Sequence, residues 1–157
     1  MQKVIPYLWF KDQAEEAAGL YVSVFKNSRV LDIVRYGDAG PGPKGTAMLV
    51  AFQLEGQEFF ALNGGDGHQF TPAISFLVDC RTQAEVDHYW EKLSEGGEKG
   101  KCGWLKDRYG LSWQVVPTVL GKMLQDKDPD KAARVMHAML QMTKLDIALL
   151  MKAYDGV

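Results

Sequence analysis

Residues 102–117 read C-G-W-L-K-D-R-Y-G-L-S-W-Q-V-V-P. We predict that this stretch decides the fold by forming two short antiparallel strands joined by a tight turn at Gly110. Past the turn, the bulky Trp113 and Val115 alternate with the polar Gln114, which is the two-residue repeat of a strand. One face of this sheet should therefore pack inside the protein, while the other face presents a polar group.

The elements predicted along the chain occur twice in the same order: a strand, a helix and three further strands. We place a first module at residues 1–65 and a second at residues 71–117. The predicted strands of the first module are Val4–Phe10, Arg29–Tyr36, Thr46–Leu54 and Gln57–Asn63, the last two joined by Glu55-Gly56. The second module begins with Ala73–Cys80 and ends with the hairpin described above. Such internal repetition predicts an α+β fold with two βαβββ modules.

Similar residues begin the helix of each module. Asp12-Gln13-Ala14-Glu15 follows the first strand, and Thr82-Gln83-Ala84-Glu85 follows the corresponding strand of the second module. In both segments a capping side chain is followed three residues later by glutamate, which is the pattern of a capping box. These matching helix starts support the repeat.

The residues after Pro117 change to a helical pattern. We predict helices at Val119–Asp126, after Asp128-Pro129-Asp130, and from Thr143 with Asp146 onward. Residues 118–157 therefore form a helical C-terminal tail, and we expect the whole chain, 1–157, to be a single domain. The tail is rich in methionine, which suits either flexible core filling or a subunit interface. Both interpretations stay open.

Composition and charge exclude several classes of protein. The net charge is −2 and the basic residues are scattered, so we expect no nucleic-acid partner. No apolar run approaches the ~20 residues that a membrane span needs, so we expect no membrane partner. The N-terminus lacks a long apolar signal core, and Cys80 and Cys102 are expected to be reduced thiols. The sequence thus predicts a cytoplasmic protein.

Five segments carry a resemblance to a known family. They are P-Y-L-W-F at 6–10, F-F-A-L-N-G-G at 59–65, S-F-L-V-D-C at 75–80, the stretch 102–117, and R-V-M-H-A-M-L-Q-M at 134–142. With the doubled βαβββ order, the chain resembles the vicinal-oxygen-chelate superfamily, which includes glyoxalase I, extradiol dioxygenases and bleomycin-resistance proteins. More narrowly, it resembles the PhnB-like branch, often labelled 3-demethylubiquinone-9 3-methyltransferase. The resemblance implies curved mixed sheets around a cavity, and commonly a homodimer.

The resemblance also implies where a metal would be held, namely on the first and last strand of each module. The corresponding positions are predicted to be Ile5, Phe59, Ala73 or Ser75, and Gln114. Of these only Gln114 could ligate, and one amide oxygen does not make a metal site. His68, His88 and His137 are interpreted as surface or packing residues. We therefore expect no metal and no other cofactor.

Strand alternation predicts which side chains face away from the helices. In the first strand Leu8 and Phe10 should pack on the helix, and in the fifth strand Ile74, Phe76 and Val78 should do so. The side chains expected to line an aromatic, neutral ligand-binding cavity are Tyr7, Trp9, Phe59, Asn63, Ser75, Trp104 and Gln114. The alternative is that these side chains only fill the interior.

The predicted function is the binding of an unidentified small molecule in this metal-free cavity. One alternative is a metal-dependent lyase, isomerase or dioxygenase, and another is the methyltransferase that the label names. A third is an interaction protein with a vestigial cavity, acting through its methionine-rich tail. Against the methyltransferase, the turn Gly64-Gly65-Asp66-Gly67 leads into a strand rather than a helix. No complete catalytic site is visible in the sequence, and Asp107 with Arg108 is interpreted as a solvated pair at a turn.

Overall fold

The computed structural model describes residues 2–157, which divide between Phe70 and Thr71 into two compact units. The first unit contains β1 (Tyr7–Phe10), α1 (Ala14–Val24), β2 (Arg29–Arg35), β3 (Ala47–Leu54) and β4 (Gln57–Asn63). The second contains β5 (Ser75–Cys80), α2 (Gln83–Ser94), β6 (Glu98–Lys99), β7 (Trp104–Lys106), β8 (Ser112–Pro117), α3 (Thr118–Leu124), α4 (Pro129–Leu140) and α5 (Ile147–Asp155). The predicted α+β class, with two βαβββ modules and C-terminal helices, is confirmed. That the whole chain forms one domain stays a prediction.

Each unit has a four-stranded mixed sheet of the same topology. The strand orders are β1-β4-β3-β2 and β5-β8-β7-β6. In both sheets the first strand pairs in parallel with the last strand of its module, and the remaining pairs are antiparallel. The two-residue strand β6 was not predicted, because Glu98 and Lys99 show no apolar alternation from which a strand could be recognised.

The core of the first unit lies between α1 and one face of its sheet. Ala17, Ala18 and Tyr21 of the helix are fully buried, as are Val50 and Phe52 of β3. Small alanines on the contact stripe let the helix approach the sheet closely, while Tyr21 fills the remaining space beside Phe52 at a ring distance of 6.1 Å. The apolar side of the alternating strand β3 therefore faces α1 and forms part of this core.

Helix α2 covers the sheet of the second unit in the same way. Its buried side chains Val86, Trp90 and Leu93 recur at helical spacing, and Trp113 and Val115 are buried on β8. Of the two hydrogen bonds of the predicted capping box, the one to the N-cap side chain is confirmed, because the Thr82 side chain accepts from the Glu85 N–H.

The tail packs around a small core of its own and is attached to α2. Buried side chains of the tail core are Leu120, Met123, Val135, Leu145 and Leu150. Gln83 donates to the Leu145 carbonyl at 3.1 Å and accepts from the Ile147 N–H at 2.8 Å. The cap of α5 is Asp146 alone, so the predicted contribution of Thr143 to that helix start is wrong.

Two predicted strand starts are too early. β1 begins at Tyr7 rather than Val4, because Pro6 has no N–H with which to continue the ladder. β5 begins at Ser75, because the preceding residues form a turn closed by a bond from the Ile74 N–H to the Thr71 carbonyl. Ile74 is 69% exposed, so its predicted packing on the helix is wrong. Among residues 2–157, no helix combines the length and the apolar character that crossing a membrane requires.

Candidate ligand-binding faces

Each sheet has a second face, turned away from α1 or α2, which we call its open face. On the open face of the first unit, paired residues form rows because directly paired residues point to the same side. One row contains Tyr7, Phe60 and Ala51. The next row contains Trp9, Leu62 and Leu49. The open face of the first unit is therefore largely aromatic and aliphatic.

Tyr7 and Trp9 lie on this open face, as the alternation of β1 predicts, with Leu8 and Phe10 buried on the other side. Tyr7 is 56% exposed, and its ring meets that of Phe60 edge-on at 5.6 Å. Trp9 is held more firmly. Its indole N–H donates to the Gly65 carbonyl at 2.9 Å, and its ring lies 4.7 Å from the imidazole of His68.

Phe59 does not lie on the open face, so the orientation predicted for it is wrong. It is 5% exposed and stacks on Phe52 at 5.3 Å, on the side of α1. The dipeptide Phe59-Phe60 does not show which of its two rings faces the core, because either could do so. The hairpin decides between them, since the turn at Glu55-Gly56 pairs Phe52 with Phe59. Phe52 clearly belongs to the core side of β3, where buried and partly exposed residues alternate.

Asn63 is likewise used on the helix side rather than on the open face. Its side-chain oxygen accepts from the Ala14 N–H at 2.8 Å, and its amide nitrogen donates to the Ala47 carbonyl at 2.9 Å. Asn63 therefore joins three elements of the first unit. Both ends of its amide hold the fold together, and its predicted place in a ligand-binding set stays a prediction.

The open face of the second unit brings together Ser75, Trp104 and Gln114. Gln114 is paired with Leu77 on one side and with Trp104 on the other. Its Nε2 donates to the Ser75 Oγ at 2.9 Å. Leu77 is 57% exposed in the same row. This face thus combines an aromatic ring and an aliphatic side chain with a neutral polar pair.

The registers of the two sheets correct the predicted metal positions. Both sheets pair their first strand with their last strand, so the two modules can be compared pair by pair. At the ends of these strands, Phe10 pairs with Asn63 and Cys80 pairs with Pro117. Three residues earlier, Tyr7 pairs with Phe60 and Leu77 pairs with Gln114. The counterpart of Gln114 in the first unit is therefore Phe60, not Phe59. A benzyl ring cannot ligate a metal, and among residues 2–157 no three His, Cys, Asp or Glu side chains are grouped as a metal site requires. The expectation that the protein holds no metal stays a prediction.

Asp107 was missed by sequence reasoning, and its interpretation as a solvated residue is wrong. It is 3% exposed. Its carboxylate accepts from the backbone N–H groups of Tyr109 and Leu111 and, at 2.9 Å, from the indole N–H of Trp113. The signal was present, since aspartate three residues before Gly110 is typical of a turn closed by its own side chain. Asp107 fixes the turn of the hairpin.

Cys80 has no nucleophilic character at neutral pH. Its burial, followed by the nearby carboxylates of Glu85 and Asp79, raises the pKa of the thiol to about 12. The thiolate is the reactive form of cysteine, and almost none of it exists at neutral pH with such a pKa. Cys80 and Cys102 are both free.

The glycine-rich turn after β4 does not fit S-adenosylmethionine. The Gly64 and Gly65 N–H groups donate to the Phe10 and Lys11 carbonyls. Gly64 also lies so close to Trp9 that an added Cβ would stand 2.3 Å from the indole ring. Since these backbone N–H groups are engaged at the end of β1, and the turn leads to β5 rather than to a helix, it cannot cradle the methionine or ribose of that cofactor.

Comparison with known proteins agrees with this architecture. A sequence model of the 3-demethylubiquinone-9 3-methyltransferase family matches residues 2–116. The PhnB protein from Bacillus cereus, a solved structure described with the same methyltransferase name, is 38% identical, with a TM-score of 0.69; the match covers 74% of this chain and 99% of that one. Protein PA1353 from Pseudomonas aeruginosa is 20% identical, with a TM-score of 0.63 over 74% of this chain and 98% of its own. The fosfomycin resistance protein FosX from Listeria monocytogenes is 16% identical, with a TM-score of 0.50 over 74% and 93%.

The two more distant structures share the fold. A search among curated proteins finds no match. The doubled βαβββ order and the two four-stranded mixed sheets define a two-module α+β protein, with the fold that PA1353 and FosX share. Within that fold, the chain belongs to the PhnB-like 3-demethylubiquinone-9 3-methyltransferase family. The matched region ends at residue 116, so α3, α4 and α5 lie outside it.

Proposed function

We propose that the protein binds a small, flat and partly apolar molecule on the open faces of its sheets, without a metal ion. One observation carries the proposal. The open face of the first unit presents the paired aromatic rings of Tyr7 and Phe60. The open face of the second unit presents Trp104 beside the neutral pair of Ser75 and Gln114. Ligand sites are typically concave and mostly apolar, with a few placed hydrogen-bonding groups.

Chemical-shift mapping tests this proposal directly. Proton–nitrogen correlation spectra would be recorded with benzamide, indole and naphthol as probes. We expect the perturbed amides to cluster on β1, β4, β7 and β8, with Phe60→Asp reducing the binding measured at the first unit. Perturbations confined to α4 and α5 would contradict the proposal.

Metal-dependent lyase, isomerase or dioxygenase activity is the competing enzymatic function. Elemental analysis of protein purified without chelator or a polyhistidine tag separates the two. We expect no stoichiometric ion and no change in melting temperature with Ni, Zn, Mn, Fe or Co. One tightly held divalent ion per chain would instead support the metal-dependent enzyme.

Interaction with another protein is a second candidate function, and one observation favours it. The tail exposes apolar side chains on α4 and α5, namely Met136, Leu140, Leu149 and Met151, each 40% exposed or more. We also propose that the chain forms a homodimer in the cytoplasm; the free thiols support a reducing compartment. Sedimentation equilibrium tests the dimer, and a concentration-independent monomer mass would exclude it.

A further inference from the structure

We propose that Ser75 and Gln114 form a subsite for a neutral carboxamide group carried by a flat ring, with the ring lying against Trp104 and Leu77. The inference rests on the proposed function and specifies the chemistry of the ligand on one of the two open faces.

Hydrogen-bonding capacity is the first argument. A glutamine amide has two N–H donors and a carbonyl oxygen that accepts, and a serine hydroxyl both donates and accepts. The bond from the Gln114 Nε2 to the Ser75 Oγ uses one donor and one acceptor. Among residues 2–157, no other hydrogen bond involves either side chain. One N–H and the carbonyl oxygen of Gln114, together with the hydroxyl hydrogen of Ser75, are therefore available to a ligand or to water.

These three groups match the polar atoms of a carboxamide. A ligand carboxamide can accept from the Ser75 hydroxyl or the Gln114 N–H while it donates to the Gln114 oxygen. A ketone uses only the donors of the pair, so it leaves the Gln114 oxygen without a partner. A carboxylate also has no donor for the Gln114 oxygen. In addition, neither side chain of the pair carries a charge that could balance the charge of the carboxylate.

The charges of this face also favour a neutral ligand. Lys106 is paired with Ser112, in the row of Ser75, and Asp79 is paired with Val116, on the far side of Gln114. Glu98 is paired with Lys106, so the row that carries the positive charge also carries a carboxylate, and the row on the other side of Gln114 carries Asp79. Because these carboxylates offset the potential of Lys106 at the amide, an anion gains no electrostatic advantage there, and a neutral ligand is favoured over an anion.

The apolar neighbours determine the shape of the ligand. Trp104 lies directly opposite Gln114 on β7, and side chains paired in this way have Cβ atoms about 5 Å apart. Leu77 is opposite Gln114 on β5 and largely exposed. A flat ring attached to the carboxamide can therefore cover Trp104 or Leu77 while its polar group reaches the amide.

Three ring compounds that differ in one substituent test the inference: benzamide, acetophenone and benzoate. Their dissociation constants would be measured from the shifts of the Gln114 backbone amide and the Trp104 indole N–H. We expect benzamide to bind roughly threefold to tenfold more tightly than the other two, which corresponds to one added hydrogen bond. Gln114→Met keeps the length of the side chain and should abolish this preference while the ring still binds.

Matched variants keep the result interpretable. Gln53→Leu removes a glutamine from β3 of the first unit and should leave the preference unchanged. Ser75→Ala should reduce the preference partly, and it serves as the second variant if Gln114→Met does not fold. Binding of benzamide with an unchanged preference in both Gln114→Met and Ser75→Ala would overturn the inference and leave the proposed function standing. If none of the three compounds perturbs either open face, the proposed function fails and the inference with it.

Discussion

The side-chain oxygen of Asn63 accepts a hydrogen bond of 2.8 Å from the backbone N–H of Ala14, so the last residue of β4 caps the first residue of α1. The local N-cap residue, Gln13, makes no side-chain capping bond. The predicted capping box of Asp12 and Glu15 is therefore wrong. The amide of Asn63 also donates to the Ala47 carbonyl, which ties the cap to the start of β3.

Replacing Asn63 should destabilise the protein although it lies in a segment predicted to bind ligand. Asn63→Ala leaves the Ala14 N–H and the Ala47 carbonyl without their partner, and losing such a cap costs about 1–2 kcal/mol. Urea denaturation would measure the change in the free energy of unfolding. Gln13→Ala is the matched control and should change it by less than about 0.5 kcal/mol. Equal losses in the two variants would show that the cap is not supplied by Asn63.

The capping of α1 shows which parts of the fold a sequence can reveal. The hairpin at Glu55-Gly56 was predicted because these two residues separate two strand-like segments, and both have the positive φ of a two-residue turn, at 48° and 86°. Helix α2 was predicted for a similar reason, since Thr82 and Glu85 are close in the chain. The Asn63–Ala14 bond joins residues separated by 49 positions, and no local pattern encodes it.

The side chains of the candidate site were predictable where the alternation of a single strand determines them. Tyr7 and Trp9 followed from the alternation of one strand, whereas the choice between Phe59 and Phe60 required the register of β4 against β3. The spacing of Asp107 to Gly110 indicated its role in the turn, but its burial could not be predicted, because the Trp113 indole that donates to it stands on the opposite strand of the hairpin. Pairing between strands, rather than residue type, decided each of these outcomes.

Gly42 should be intolerant of a side chain. The loop between β2 and β3 wraps Tyr36, whose hydroxyl donates to the Asn63 carbonyl at 2.6 Å. A Cβ at Gly42 would lie 2.3 Å from the ring of Tyr36, closer than van der Waals contact allows. Because that ring is anchored by its hydroxyl, we expect Gly42→Ala to lower the free energy of unfolding by about 1–3 kcal/mol.

Gly37 provides the control within the same loop. No atom lies within 4 Å of a Cβ built there, and its φ is outside the left-handed range. Gly37→Ala should therefore leave stability unchanged or raise it slightly, by up to about 1 kcal/mol. Comparable urea midpoints for the two variants would mean that the loop does not pack on Tyr36 in solution.

The two cysteines should differ sharply in reactivity. Cys80 is buried, and its pKa is raised to about 12, whereas Cys102 is partly exposed. With Ellman's reagent at mildly alkaline pH, we expect one thiol per native chain to react rapidly, and both after unfolding in urea. Cys102→Ser should remove the rapid phase. A rapid phase that persists in this variant would show that Cys80 is accessible as a thiolate.

The bond between Tyr154 and Asp126 should make the attachment of α5 depend on pH. The Tyr154 hydroxyl donates to the Asp126 carboxylate at 2.6 Å. This bond is the main reason that the pKa of Asp126 is lowered, the N–H of Asp128 adding to it. The same bond is the main reason that the pKa of Tyr154 is raised, with burial and neighbouring carboxylates adding to it.

The direction of the effect follows from these shifts. Since the folded pKa of Asp126 is depressed, its stabilising contribution is complete above the ordinary carboxyl range, near pH 4, and is lost as the pH falls through the folded value. The raised pKa of Tyr154 gives the opposite limit, because its contribution is complete below about pH 10 and is lost above the folded value. Tyr154→Phe should therefore lower the urea midpoint at neutral pH, with a difference from the wild type that shrinks toward about pH 2. In an Asp126→Asn background the same substitution should give a difference that does not change with acid; an equal acid dependence in both backgrounds would place its origin elsewhere in the chain.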